Sequence, residues 1–253
     1  MTPYPFLTVD WQQIFASNNL ANFNALWDLK TEWFEEPNVR RGGWSGVVKI
    51  DLDTPEGKVG VFIKRQENHI SKTFQHPIKG IATFQKEFHN ILRLSSKQIP
   101  TLELIYFSQQ KKKAILITQE LKGYRPLDSK EFFSLSPKQK QALLSKVAQV
   151  SSMMHRHKFQ HNCFYPKHIF VKNINGEWDI RFIDLEKLKR TLFQKQSMLR
   201  DLQSLYRHAD DHWTIKDRIY FFKCYMNEKK LSNNSKKIWK AIEKKLQNKR
   251  KSS

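Results

Sequence analysis

The 253 residues carry 45 Lys and Arg against 24 Asp and Glu, a formal charge of +21, with 39% hydrophobic and 13% aromatic content. That composition excludes a disordered chain and leaves room for one large or two small buried cores. The apolar runs, such as AILI at 114–117, are far shorter than a membrane span needs.

Two cysteines, Cys163 and Cys224, are too few for a disulfide framework or for the usual cysteine-based zinc site, and they fit a reducing compartment. The opening stretch MTPYPFLTVDWQQIF lacks a basic segment followed by an apolar one, so no signal peptide is evident and a cytoplasmic protein is expected. The excess of cations points to polyanions: nucleic acid, anionic lipid head groups or a phosphorylated substrate. Charge sign does not choose among them, and a lysine-rich composition is the plain alternative. No nucleic-acid reading motif appears, so that partner is the least expected of the three.

In chain order, residues 10–36 predict one or two short helices, with Phe23, Leu26 and Trp27 at helical spacing. In RRGGWSGVVKIDL glycines give way to alternating β-formers, and DTPEGK (53–58) is a turn by its Asp, Pro and Gly. VGVFIKR (59–65) returns, so 44–65 predicts a hairpin. ATFQKEFHNILRLSS (82–96) predicts a helix with Phe84, Phe88, Ile91 and Leu92 on one face. Strands follow at 101–108 and 113–121, and Pro137 opens a long helix facing inward through Ala142, Val147, Val150 and Met154. HIFVKN and DIRFIDL are strands flanking the turn INGEW. The remainder predicts helices, RDLQSLYRHADDHW (200–213) first, then IKDRIYFFKCYM with Ile219, Phe222 and Met226 inward and Cys224 as a small buried hydrophobe.

Strands with one helix come first and helices dominate afterwards, which predicts an α+β chain in two lobes. The expected segments are an N-terminal helical extension (1–36), a small antiparallel-sheet N-lobe (37–121), a mostly helical C-lobe (122–228) and a basic amphipathic tail (229–253).

Phosphoryl transfer from ATP asks mainly for positioned charges: backbone amides near the phosphates, a lysine held by a glutamate, an aspartate for Mg²⁺ and another that takes the hydroxyl proton. GGWSGVV supplies Gly42, Gly43 and Gly46, although three glycines before a strand are often only a turn. Lys64 ends an apolar strand, where a solvated strand end is the ordinary reading. Glu87 lies on the next helix, where many glutamates are merely surface groups. Asp184 follows the apolar RFI, either to meet a cation or to terminate a strand. Lys64 and Glu87 are 23 positions apart, Lys64 and Cys163 are 99 apart, and Cys163 and Asp184 are 21 apart.

Taken jointly, this order resembles the protein-kinase-like fold, and HNCFYPKH aligns without a gap on the kinase loop H-R-D-L-K-P-E-N. EWFEEPNVRRGGWSGV, YPKHIFVK and FIDLEK resemble more narrowly the bacterial lipopolysaccharide kinase family, its InaA-type branch, over roughly residues 20–225. The resemblance implies ATP and Mg²⁺ as cofactors and a Kdo or heptose sugar of the lipid-linked lipopolysaccharide core as acceptor. It implies that Gly42, Gly43 and Gly46 cover the phosphates, that Lys64 pairs with them and with Glu87, and that Glu120 joins the nucleotide contacts. Asp184 would hold the metal; His168, at the asparagine's position, would be a metal ligand or a hydrogen-bond donor, and Glu186 an added carboxylate or one half of a surface ion pair. His161 matches the loop histidine, and Asp201 matches the aspartate that braces the loop; a helix-terminus carboxylate favoured by the dipole is the alternative for Asp201.

Cys163 stands where the catalytic aspartate belongs and does not inherit its task, because a thiol with pKa near 8.5 is mostly protonated and accepts hydrogen bonds poorly. The expectation is a slow kinase, with His161 or Tyr165 standing in for the base, or else a pseudokinase that binds nucleotide or regulates a partner. A thiol acidified by basic neighbours would instead be a redox-sensitive nucleophile. In the tail, residues 226–253 hold ten Lys and Arg against two Glu, with Ile238, Ile242 and Leu246 on one stripe. Such a helix is expected to lie on the anionic inner-membrane surface, or else to be solvated and frayed.

Overall fold

The structure is a computed structural model that describes residues 5–40, 42–72, 76–209 and 213–250. The chain divides into two compact units: Met1–Arg93 with Leu102–Lys122, and Leu94–Thr101 with Gly123–Ser253.

The first unit runs β1 (Phe6–Leu7), α1 (Val9–Ser17), α2 (Phe23–Trp27), β2 (Trp33–Arg40), β3 (Gly43–Thr54), β4 (Gly57–Glu67), β5 (Ile70–Ser71), β6 (Ile81–Ala82), α3 (Thr83–Ser95), β7 (Leu104–Gln110) and β8 (Lys113–Gln119). The last two residues of α3 fall with the second unit. Six strands form one antiparallel sheet in the order β1-β7-β8-β4-β3-β2. The expected hairpin is its centre, in unbroken register from Trp44 opposite Glu67 to Thr54 opposite Gly57. Gly57 closes that turn at φ +113°, a conformation other residues rarely adopt.

Alternation along β3 and β4 sends Val48, Leu52, Val61 and Ile63 to one face, where Trp11, Phe15, Phe23 and Leu26 of α1 and α2 cover them. The segment 33–36, expected to be helical, opens β2 instead. The helical spacing of Phe23, Leu26 and Trp27 ends with α2, and Trp33 and Glu35 then pair with Val48 and Val47. In α3, Phe88 stacks on Phe107 of β7 at 4.5 Å.

The second unit contains β9 (Arg125–Pro126), α4 (Pro137–Arg156), β10 (Phe159–Gln160), β11 (Ile169–Ile174), β12 (Glu177–Phe182), β13 (Lys189–Arg190), α5 (Gln194–His208), α6 (Ile215–Met226) and α7 (Asn233–Arg250). Ser136 and Gln139 close a capping box around Pro137, which fixes the start of α4. Its buried face comprises Leu143, Leu144, Val147, Ala148, Val150, Ser151, Met154 and His155, while Ala142 is exposed. In α6 the buried set is Arg218, Phe221, Phe222 and Tyr225, and Ile219, Cys224 and Met226 are only half-buried. The aromatic groups win the inner face because each removes more apolar surface from water than an isoleucine. The helix predicted over 200–213 ends at His208, and 210–212 lie outside the described residues.

The stripe Ile238, Ile242 and Leu246 exists as expected, but it is buried. α7 packs on α5, and Trp239 meets Tyr206 at 5.8 Å and Phe222 at 5.5 Å. The apolar face expected to meet lipid is therefore occupied by protein, and only the lysine face of α7 remains outward.

Candidate functional site

In the first unit, Lys64 on β4 reaches Glu87 on α3, Nζ to Oε1 2.7 Å, with the two side chains 20% and 2% exposed. Position 64 faces α3 because Ile63 and Arg65 point to the other side of the strand. The Phe84 ring lies 5.9 Å below the ammonium. A carboxylate this buried requires its cation, so the pair is a fixed device rather than a surface contact.

The three glycines have distinct steric grounds. Gly42 sits at φ +74°, with its carbonyl accepting from Asn68 Nδ2 at 2.9 Å. A Cβ on Gly43 would fall 2.3 Å from the Asn68 carbonyl, and one on Gly46 2.6 Å from the Trp33 ring. Close backbone packing alone thus explains Gly43 and Gly46. Glu120 forms an ion pair with Lys49, and its amide donates to the Gly60 carbonyl at 2.9 Å. Its carboxylate lies where a side chain at Gly60 would have to be. Glu120 thus follows the end of β8 with its carboxylate in a partly exposed ion pair.

In the second unit, HNCFYPKH is stitched to the segment Ile183–Lys187. The His161 Nε2–H donates to the Ile183 carbonyl at 2.9 Å, Asn162 Nδ2 to the Lys187 carbonyl at 2.7 Å, and the Ile183 amide to the His168 carbonyl at 3.1 Å. His168 Nδ1 lies 2.8 Å from the Cys163 carbonyl and 3.4 Å from Asp184 Oδ2. A carbonyl only accepts, so Nδ1 carries the proton and gives it to the Cys163 carbonyl, with the Asp184 carboxylate lying beside the ring. Asp184 itself is left-handed, φ 57° and ψ 59°, a region that aspartate tolerates better than most residues.

Asp201 is fully buried and receives the amides of His161 at 2.6 Å and Asn162 at 3.0 Å, so it braces the loop backbone. It also meets His155 Nε2 at 3.1 Å, whose other nitrogen lies 2.9 Å from the Tyr225 hydroxyl. His155, Asn162 and Lys187 are part of this arrangement and were not singled out from the sequence. Asn162 owes its place to a left-handed φ of 67°, which turns both its amide and its side chain into the network.

His161 cannot act as a base. It is fully buried, Nε2–H is given to the Ile183 carbonyl, and Nδ1 is sealed in without a hydrogen-bond partner. Burial pushes its pKa down, outweighing the Asp201 and Asp184 carboxylates. His89 is lowered too, by burial and by Arg93. Both groups are neutral in either state above the unfolded pKa of about 6.5, so their contribution to stability is complete there. As pH falls through that value the unfolded chain takes up protons that the folded chain refuses, and stability is lost. Urea unfolding followed from about pH 7.5 to about pH 5.5 should show this decline, and His161→Gln should flatten the slope whatever its effect on absolute stability.

The Cys163 side chain is 5% exposed. Burial first, then Asp184 and Glu186, push its thiol up, while the Lys187 ammonium at its side opposes them. This direction is opposite to the one the alternative of an acidified, redox-sensitive thiolate needs: burial and the two carboxylates favour the protonated thiol. Tyr165, half-buried with its ring against His168 and His208, remains as the other stand-in.

A magnesium ion needs only one or two carboxylates, because phosphates and waters complete its shell. Asp184 and Glu186, both partly exposed, fit that demand. His168 fits it poorly as a ligand, since magnesium prefers oxygen and Nδ1–H is already given to the Cys163 carbonyl; the residue serves as the hydrogen-bond donor that was its alternative role. No group of three or more His, Cys, Asp and Glu side chains that could hold a metal ion occurs among the described residues.

A search of solved structures finds WaaP in complex with acyl carrier protein at TM-score 0.70 and 19% identity, covering 97% of this chain and 99% of that one. It also finds an aminoglycoside-3'-phosphotransferase of type VIII at TM-score 0.51 and 12% identity, covering 84% and 92%. These likenesses give the fold, which is kinase-like. Protein InaA of Escherichia coli (strain K12) is 30% identical over 203 residues, 77% of this chain and 91% of that protein. The family described as "Lipopolysaccharide kinase (Kdo/WaaP) family" matches residues 24–225, and the chain belongs to it.

Proposed function

We propose that the protein transfers the γ-phosphoryl group of ATP to a sugar hydroxyl of a lipid-linked glycan, in the Kdo or heptose region of the lipopolysaccharide core. The observation that carries this reading is the partly exposed Asp184 carboxylate, 3.4 Å from His168, on a segment stitched to the loop. The buried Lys64–Glu87 pair supports it.

In this reading Lys64, held by Glu87, neutralises phosphate oxygens, and the Gly42–Gly46 backbone covers them. Asp184 and Glu186 would hold Mg²⁺, which supplies positive charge against the phosphates when bound. The acceptor oxygen attacks the γ-phosphorus, the bond to the bridging oxygen breaks, ADP leaves, and the hydroxyl proton departs to a phosphoryl oxygen or to water. With a protonated thiol at 163 no loop carboxylate takes that proton. Base assistance is worth about 10²- to 10⁴-fold, whereas positioning and charge supply more. The chain is thus a slow kinase. The second reading, a pseudokinase that binds nucleotide without transfer, is favoured by Cys163 alone.

Calorimetry with ATP and Mg²⁺ tests the nucleotide half. Lys64→Met should weaken binding about 100-fold, the loss of a charge-assisted phosphate contact, and should lower stability by roughly 3 kcal/mol by removing the ammonium that faces the buried Glu87 carboxylate. Equal affinity in parent and variant would sink the reading. Binding without transfer to purified lipid A–core acceptors would leave the pseudokinase.

A further inference from the structure

We propose that Leu192 and Phe193, flanked along the chain by exposed cations, form a tip that docks the second unit on an anionic lipid surface. Their side chains are 78% and 70% exposed, and among the described residues they are the only consecutive pair of exposed large apolar side chains. Residues 187–200 carry Lys187, Lys189, Arg190, Lys195 and Arg200 and no carboxylate. All five are exposed. Of the two carboxylates that bound this stretch, Glu186 lies 3.7 Å from Lys187 and Asp201 is fully buried.

The tip is held in place. Thr191 is buried, its amide donating to the Lys158 carbonyl at 2.8 Å and its hydroxyl lying 2.6 Å from that of Ser197. Presenting two large apolar groups to water from a fixed base has a steady cost, and natural surfaces keep such pairs where something covers them. A protein partner needs a packed patch of about 800 Å² per side. Two side chains standing clear of the surface offer little of that. A bilayer asks for less: the head-group region accepts a small apolar wedge while cations read the surface charge.

The placement also serves the site. β13 pairs with β10, so Lys189 and Arg190 lie opposite Gln160 and Phe159, immediately before the loop that begins at His161. Docking through the tip therefore brings that loop to the lipid surface, where a lipid-linked acceptor resides. In that purpose, though not in its evidence, the inference rests on the reading above. α7 does not compete for this role, because its apolar stripe is already packed.

The full chain is sedimented with phosphatidylcholine vesicles containing or lacking phosphatidylglycerol, without nucleotide or acceptor. Binding is expected only to the anionic vesicles, and more weakly as salt rises. Leu192→Ser with Phe193→Ser should lower the partition about tenfold without changing the melting temperature, since neither side chain is packed. Lys195→Glu should lower it several-fold by charge alone. A double variant that binds like the parent overturns the proposal, as does a parent that ignores vesicles and is retained by an acidic protein instead. Transfer to a delipidated core oligosaccharide is measured apart, so failure of docking and failure of catalysis are told apart.

Discussion

Replacing Asp184 with asparagine should lower phosphoryl transfer by at least about 10³-fold, near 4 kcal/mol of barrier, while leaving the fold intact. The exchange removes the charge and keeps the shape. Asparagine adopts the left-handed backbone at this position as readily as aspartate, and it still offers an oxygen to His168 Nδ1, now 3.4 Å from Asp184 Oδ2. What it lacks is the negative charge a magnesium ion requires. Initial rates with labelled ATP, with circular dichroism and melting temperature as controls, separate lost chemistry from lost structure. Asp201→Asn would be a poorer test. That carboxylate is fully buried and serves two backbone amides and His155, so its loss would lower stability and rate together. An Asp184→Asn enzyme as fast as its parent would leave the second unit without a metal-binding role and would remove the catalytic reading.

The parts of this molecule that were legible in the sequence are those written locally. The β3–β4 hairpin shows as a period of two around a Pro-Glu-Gly turn, and the start of α4 as Ser-Pro with glutamine three positions on. Lys64 and Glu87, 23 positions apart, were legible as a pair, and the structure brings them to 2.7 Å. Asp184 was singled out by its place after an apolar strand, and it lies on the segment bonded to the loop. Inner faces were harder. In α6 apolar and aromatic groups lie nearly all round, so spacing alone could not favour Phe221 and Tyr225 over Ile219 and Met226. The role of His155 had no local signal, since it depends on Asp201, 46 positions on, and Tyr225, 70 positions on. The tail misled for a physical reason: a basic amphipathic helix looks the same whether its stripe meets lipid or α5.

Cys163→Asp should raise the turnover number by about 10²- to 10⁴-fold, the worth of a general base. The backbone there is already set, with the Cys163 carbonyl receiving the Tyr165 amide at 2.8 Å and facing His168 Nδ1 at 2.8 Å. Neither bond involves the side chain. The carboxylate would enter beside the Lys187 ammonium, which already reaches the thiol, and near Asp184 and Glu186. The anionic form of the present side chain is disfavoured there despite Lys187, so the new carboxylate's pKa should be raised as well. That moves it towards the operating pH, where a base is most effective. Lys187→Met in the Cys163→Asp background should raise that pKa further and shift the acid limb of the rate profile to higher pH. In the parent, with a neutral thiol, the same lysine substitution should leave the limb unmoved. A gain on restoring the aspartate would mean that this chain keeps every part of the site except the proton acceptor. Equal rates in parent and variant would mean that another group, Tyr165 foremost, already does that work. Silence in both would leave a nucleotide-binding module whose loop is held together for a purpose other than transfer.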